Sequence, residues 1–199
     1  MHGLLVASSR ELTELTVLGL LAERPRHPYD MQRELRLRGN TAYVRGLPRS
    51  LYGAVDTLRE QGLVVAEGTS REGARPERTI YAATDAGREE FRRRLLHLLA
   101  TPSDRGTFFA ALSLIAGLDR DDAVHALRAR REELAVVRER GVRQLEMALQ
   151  TVPRLVLVEG EYLLDQITAE DRWVAALIED AQSGELSWDL PWGPGAVAD

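Results

Sequence analysis

The sequence predicts a mainly α-helical chain with one small β-hairpin, its helices divided between an N-terminal and a C-terminal half. Three observations predict it. Apolar residues recur at three- and four-residue spacing in several segments of helical length, the signature of one buried helix face. Two β-rich runs, 63–67 and 78–83, flank a loop containing Gly68 and Gly73, which reads as a hairpin. Prolines and glycines stand where helices start and stop: Pro28 and Pro48 at starts, Gly39, Gly62 and Gly184 just past ends.

Taken in order, residues 1–10 carry no periodic pattern and are expected to fray. Residues 11–23 place Leu12, Leu15, Leu18 and Leu21 on one helical face. The run 24–28, Arg-Pro-Arg-His-Pro, breaks that helix, and a second is expected over 29–38. After a connector at 40–46 bearing Tyr43 and Arg45, a third helix spans 48–61, with Leu51, Ala54, Val55 and Leu58 on its packing face. Arg49, Tyr52, Asp56 and Arg59 lie towards the opposite face. The hairpin follows at once, with Arg71, Arg75 and Arg78 around its tip. Thr84 is placed to cap a fourth helix over 85–100, with acids in its first turn and Arg92, Arg93 and Arg94 in its later turns, as the helix dipole favours. Three helices, a strand, a wing, a strand and a fourth helix make a winged helix, a layout that reads DNA.

Charge is divided in the same way. Residues 1–100 hold 16 arginines against 13 acids, a balance of +3, whereas residues 101–199 hold 10 against 18, a balance of −8. Such asymmetry suits a DNA-contacting module joined to an acidic partner module. All 26 basic residues are arginine, chiefly a matter of base composition, although the planar guanidinium also suits bidentate phosphate contacts. The absence of cysteine excludes a disulfide framework and thiolate chemistry. The longest apolar run, 108–118, is too short to cross a membrane, and no signal peptide is visible at the start; a soluble cytoplasmic protein is expected.

The second half begins after Thr101-Pro102-Ser103. An apolar segment over 105–117 aligns Phe108, Leu112 and Ile115. Asp119 is placed to cap a long helix to about residue 150, which Gly141 would bend or open to another backbone. Pro153 opens a last helix to Ser183. It carries two apolar stripes, Leu155, Tyr162 and Trp173 on one, Val156, Leu163, Ile167, Val174 and Ile178 on the other. One small domain cannot cover both stripes, and an apolar face of that size marks an interface. The tail 191–199 is expected to be disordered. The domains are therefore 1–100, 101–190 and the tail.

In four places the chain resembles the PadR-like family of transcriptional regulators. Leu15-Thr16-Val17-Leu18-Gly19-Leu20-Leu21 is similar to the family's first helix, and His27-Pro28-Tyr29-Asp30-Met31 to the opening of its second. Leu51-Tyr52, Leu58 and Gly62-Leu63-Val64 resemble its third-helix pattern, and Arg75-Pro76 with Tyr81, Thr84 and Gly87 its wing and fourth-helix start. The chain departs from the pattern at Pro28, at Val55, at Asp56-Thr57 and at Glu77 and Thr79 in the wing, changes that bear on DNA affinity and leave the fold. The resemblance implies a homodimeric winged helix-turn-helix repressor joined to a C-terminal helical dimerisation domain. In such proteins the last helices form the dimer, often with the partner's first helix. The expected interface is then Leu15, Leu18, Tyr162, Ile167, Trp173, Val174 and Ile178. The expected DNA contacts are Arg49, Ser50, Tyr52, Arg59, Arg71, Arg75 and Arg78, on double-stranded DNA with a pseudo-palindromic operator. Tyr52 fits equally as a ring packed at the domain edge, and the wing arginines as solvated hairpin charges.

Phe108, Tyr162, Trp173 and Trp188 suit either an apolar site for a small hydrophobic effector or, the preferred reading, ordinary core. The four histidines lack metal-ligand spacing, and no cofactor is expected. No nucleophile elbow, P-loop, dinucleotide fingerprint or zinc-protease motif occurs, so an enzyme is not expected. The adjacent acids Asp121-Asp122 and Glu132-Glu133 diverge on a helix. The alternative function is a dimeric ligand-binding or protein-interaction module whose winged helix no longer binds specific DNA.

Overall fold

A computed structural model describes residues 5–39, 49–70 and 78–189, with side chains at 69 and 70 excepted. Its first helix, α1 (Ser9–Glu23), is set by a capping box. The Ser8 hydroxyl accepts from the Glu11 N–H while the Glu11 carboxylate accepts from the Ser8 N–H at 2.7 Å. The expectation of a frayed start fails from residue 5 onward. Leu5 forms a parallel bridge to Ser103, donating to the Pro102 carbonyl and accepting from the Asp104 N–H. The next helices are α2 (Pro28–Leu37) and α3 (Arg49–Glu60). Pro48, the connector with Tyr43 and Arg45, the wing-tip residues Arg71 and Arg75, and the tail 191–199 lie outside the described residues.

Strands β1 (Val64–Ser70) and β2 (Arg78–Ala83) pair antiparallel from Val64↔Ala83 to Ser70↔Arg78. The register shifts between Ala66 and Gly68, so β1 runs three residues beyond its expected end at Glu67 by bulging there. Arg26 adds a third, one-residue rung, exchanging both backbone bonds with Tyr81. Gly62, at φ 73°, turns the chain from α3 into β1. Thr84 then ties hairpin to helix. Its hydroxyl donates to the Gly62 carbonyl and accepts from the Gly87 N–H, capping α4 (Asp85–Ala100) at its expected bounds.

The C-terminal half comprises α5 (Arg105–Ser113), a 3-10 turn at Ile115–Gly117, α6 (Arg120–Leu149), a second 3-10 turn at Arg154–Val156 and α7 (Val158–Ser183). Asp119 occupies the α6 N-cap position without a side-chain cap bond. Gly141 does not interrupt α6. A Cβ there would stand 2.7 Å from Leu164, so the glycine admits a side chain of α7 rather than a bend. The last helix starts five residues after Pro153, because the 3-10 turn intervenes.

Leu15, Leu18, Leu51, Leu58, Phe91, Leu95, Ala111, Leu127, Val174 and Ile178 belong to one continuous apolar core, which crosses residue 100 without a break. Phe91 of α4 wedges between Gly19 and Gly117, where an added Cβ at either glycine would meet its ring at 2.8 Å. Beyond Leu134 on α6 and before Ile167 on α7 no residue of these helices is buried. The two helices therefore leave the core as an antiparallel arm.

Candidate nucleic-acid interface

Helix α3 buries Leu51, Ala54, Val55 and Leu58 and turns Arg49, Tyr52, Gly53, Asp56, Arg59 and Glu60 outward. Arg49 stands at its first position, unpaired among the described residues. Ser50 is half-buried, with no hydrogen-bond partner for its hydroxyl among them. Tyr52 is 46% exposed and meets the His27 ring edge-on, with centroids 6.3 Å apart. It thus packs at the domain edge and still presents surface to solvent. Arg59 is engaged twice, pairing with Asp56 at 3.8 Å and lying over the Tyr81 ring at 5.7 Å.

Arg78, the wing arginine that the structure describes, does not stand free. Its guanidinium lies 5.2 Å from the centroid of the Tyr29 ring. That contact brings the wing against α2. His27 sits at the same junction as the N-cap of α2, its Nδ1 accepting from the Tyr29 N–H at 3.0 Å. Burial and then the nearby Arg78 charge push its imidazole below the usual histidine range, against a smaller opposing effect of Asp30.

Ion pairing decides which cations of a half-chain of charge +3 are left unpaired. On α4, Arg88 pairs with Asp85, Arg92 with Glu89 and Asp122, Arg93 with Glu90, and Arg94 with Glu90 and Glu14. Glu90, held by Arg93 despite some burial and further by Arg94, has its carboxyl lowered to about 2. Arg26 and Arg38 neutralise Glu23 and Glu34, and Arg10 engages Glu14. Among the described residues up to 100, the arginines left without a carboxylate are Arg24, Arg33, Arg36, Arg49 and Arg78. Arg49 and Arg78 were legible as candidates. Arg33 and Arg36 were missed, although Tyr29, Arg33 and Arg36 at i, i+4 and i+7 share one face of a helix.

The remaining candidates divide sharply. Leu15 and Leu18 are in the interior of their own chain, 1% and 0% exposed, because α1 is sandwiched by α3 and α4. Val174, Ile167 and Ile178 are also buried, whereas Tyr162 is 67% and Trp173 49% exposed. Of the seven expected interface residues, Tyr162 and Trp173 present surface to solvent and the other five pack within their own chain. Nor do Phe108, Tyr162, Trp173 and Trp188 enclose a site together. Phe108 meets Trp173 edge-on, with centroids 6.4 Å apart, and its face is covered by the Arg130 guanidinium at 3.7 Å. Tyr162 is three turns from Trp173, about 16 Å along α7. Trp188 donates its indole N–H to the Leu118 carbonyl at 2.9 Å and packs on the core. These rings are core and surface, and they form no common aromatic wall.

No described helix is long and apolar enough to cross a membrane. No curated protein matches the chain. Three solved structures are similar in part. Bacillus subtilis PadR in complex with operator DNA is 17% identical, covering 84% of this chain and 98% of that one, at a TM-score of 0.40. The protein smu.1604c from Streptococcus mutans UA159 is 19% identical over 83% and 98%, at 0.38. Bacillus subtilis PadR in complex with p-coumaric acid is 16% identical over 86% and 99%, at 0.37. Residues 17–93, from the middle of α1 through the wing and into α4, match the model of the transcriptional regulator PadR-like family. That match spans the winged helix and leaves the C-terminal half of the chain outside it.

Proposed function

We propose that the chain acts as a homodimeric repressor that binds a pseudo-palindromic operator and leaves it when an effector or stress alters the angle between the two wings. The observation carrying this reading is the set of uncompensated arginines on α2, α3 and the start of β2, within the residues that match the family. In the operator complex α3 enters the major groove, with Arg49 and Tyr52 nearest to base edges, Ser50 beside them and Arg59 at the far end. The wing arginines Arg71, Arg75 and Arg78 touch phosphates. The two-fold axis passes by the arm of α6 and α7, whose exposed Val142, Met147, Leu155, Tyr162, Leu163 and Trp173 form an apolar surface that a second copy would cover.

Asp56 and Glu60 on the outward face of α3 favour the second reading, a dimeric module that no longer selects sequence. Fluorescence anisotropy on the DNA upstream of its own gene and on a scrambled duplex, at two salt concentrations, separates the two. The repressor binds the first duplex more tightly, and Arg49→Ala narrows that preference by ~1–3 kcal/mol while leaving scrambled DNA little affected. Equal affinity of the unaltered protein for both duplexes would favour the module. Light scattering of the same sample gives twice 22.2 kDa. A monomer would remove the palindrome from the reading.

A further inference from the structure

Helix α2 presents a positive site that neither α3 nor the wing accounts for. Tyr29, Gln32, Arg33, Arg36 and Leu37 line an open cleft of about 290 Å³ on its outer face. Two of its walls are guanidiniums, both exposed and neither matched by a carboxylate among the described residues. Of the two acids on the helix, Glu34 is taken by Arg38 at 2.7 Å and turned to the other side, towards Arg26, and the exposed Asp30, one turn before Arg33, forms no ion pair among the described residues. A third cation joins from another element, because Arg78 lies over Tyr29 at the end of this cleft. A protein of net charge −5 that pairs eight of the thirteen described arginines up to residue 100 leaves two of its free ones one turn apart here. The planar guanidinium fork suits bidentate bonding to phosphate oxygens.

We propose that the α2 cleft is a seat for a DNA backbone phosphate flanking the groove that α3 enters, with Arg33 and Arg36 as its ligands. This rests on the DNA-binding reading above and adds to it two contacts per protomer. Tyr29 holds Arg78 to the rim, so that the start of β2 and α2 grip one stretch of backbone. Since a phosphate is the same beside every base pair, the site sets affinity and register and carries no sequence preference.

Anisotropy titrations across a salt series test it with Arg33→Ala, Arg36→Ala, Arg36→Lys and, as control, Arg105→Ala, an exposed arginine stacked on Phe109 of α5 and without a carboxylate among the described residues. Each α2 alanine variant should lower the slope of log affinity against log salt by about 0.9 per protomer, equally on operator and scrambled DNA. Arg36→Lys should keep the slope, and Arg105→Ala should leave it unchanged. An unaltered slope in both α2 variants, with the unsubstituted protein still bound to DNA, overturns the seat and spares the function. A loss confined to the operator overturns it too, by assigning these residues to base reading. Failure of the unsubstituted protein to bind either duplex at low salt removes the DNA-binding reading and the seat with it.

Discussion

Two glycines on neighbouring elements show opposite demands at the residue scale. A Cβ on Gly87 would stand 2.0 Å from the Leu63 carbonyl oxygen, a backbone atom already bonded to Thr84. Neither side can give way without breaking the joint between hairpin and α4. Gly87→Ala should therefore destabilise the fold by about 1–3 kcal/mol, as overpacking does. Gly53 is in the middle of α3, where an added Cβ would meet nothing within 4 Å. A helical glycine with no steric reason costs roughly 0.5–1 kcal/mol relative to alanine. Gly53→Ala should thus raise stability by that amount in urea melts. The same methyl would stand in the outward face between Arg49 and Asp56, so operator affinity should fall as stability rises. A gain in both, or a neutral Gly87→Ala, would contradict these assignments.

At the scale of an element, α2 depends on a titratable cap. His27 satisfies the Tyr29 N–H only through an unprotonated Nδ1, and protonation would turn that acceptor into a donor. Its folded-state pKa is lowered, by burial and by Arg78, with Asp30 opposing. The unfolded chain therefore takes up this proton at higher pH than the folded one. Stability from this residue is present above about 6.5 and is lost as pH falls below it towards the folded value. His27→Asn keeps a capping acceptor and should flatten that limb of the melting-temperature profile, whereas His27→Ala should cost about 0.5–2 kcal/mol at neutral pH. Parallel profiles for the histidine and asparagine proteins would show that another group is responsible.

Across the whole molecule, one guanidinium joins helices from both halves. Arg130 of α6 is fully buried, and burial pushes its pKa below the ordinary arginine value. It pairs with Glu170 of α7 at 2.7 Å, donates to the carbonyls of Leu98, Leu99 and Thr101 at the end of α4, and covers the face of Phe108 of α5. A cation at the carbonyl end of α4 also meets the negative end of its dipole. Four helices thus converge on one side chain, between the winged helix and the arm. Arg130→Met keeps the stem and strands those carbonyls and Glu170, which should cost ~3–5 kcal/mol in chemical denaturation. Glu170 is partly exposed, so Glu170→Gln should cost clearly less. Equal losses would mean that the ion pair, and not the grip on α4, is what counts.

The order of elements was determined by sequence alone, because the information is local. Thr84 and Gly62 mark the joint between hairpin and α4, Pro28 and Gly39 bracket α2, and the spacing of Leu51, Ala54, Val55 and Leu58 selects the packed face of α3. Of the interface, Arg49 and Tyr52 were legible because a helix with one apolar face must turn the other outward. What helical periodicity cannot tell is which apolar face meets its own chain. Leu15 and Leu18 looked like interface residues and prove to be core, since α3 and α4 cover them, while Tyr162 and Trp173 remain uncovered. Nor can composition tell which charges cancel. Only tertiary structure brings Asp122 to Arg92 across 30 residues and leaves Arg33 and Arg36 unmatched. Packing and ion pairing join residues far apart in the chain, so the free surface and the free charge are decided only when the helices meet.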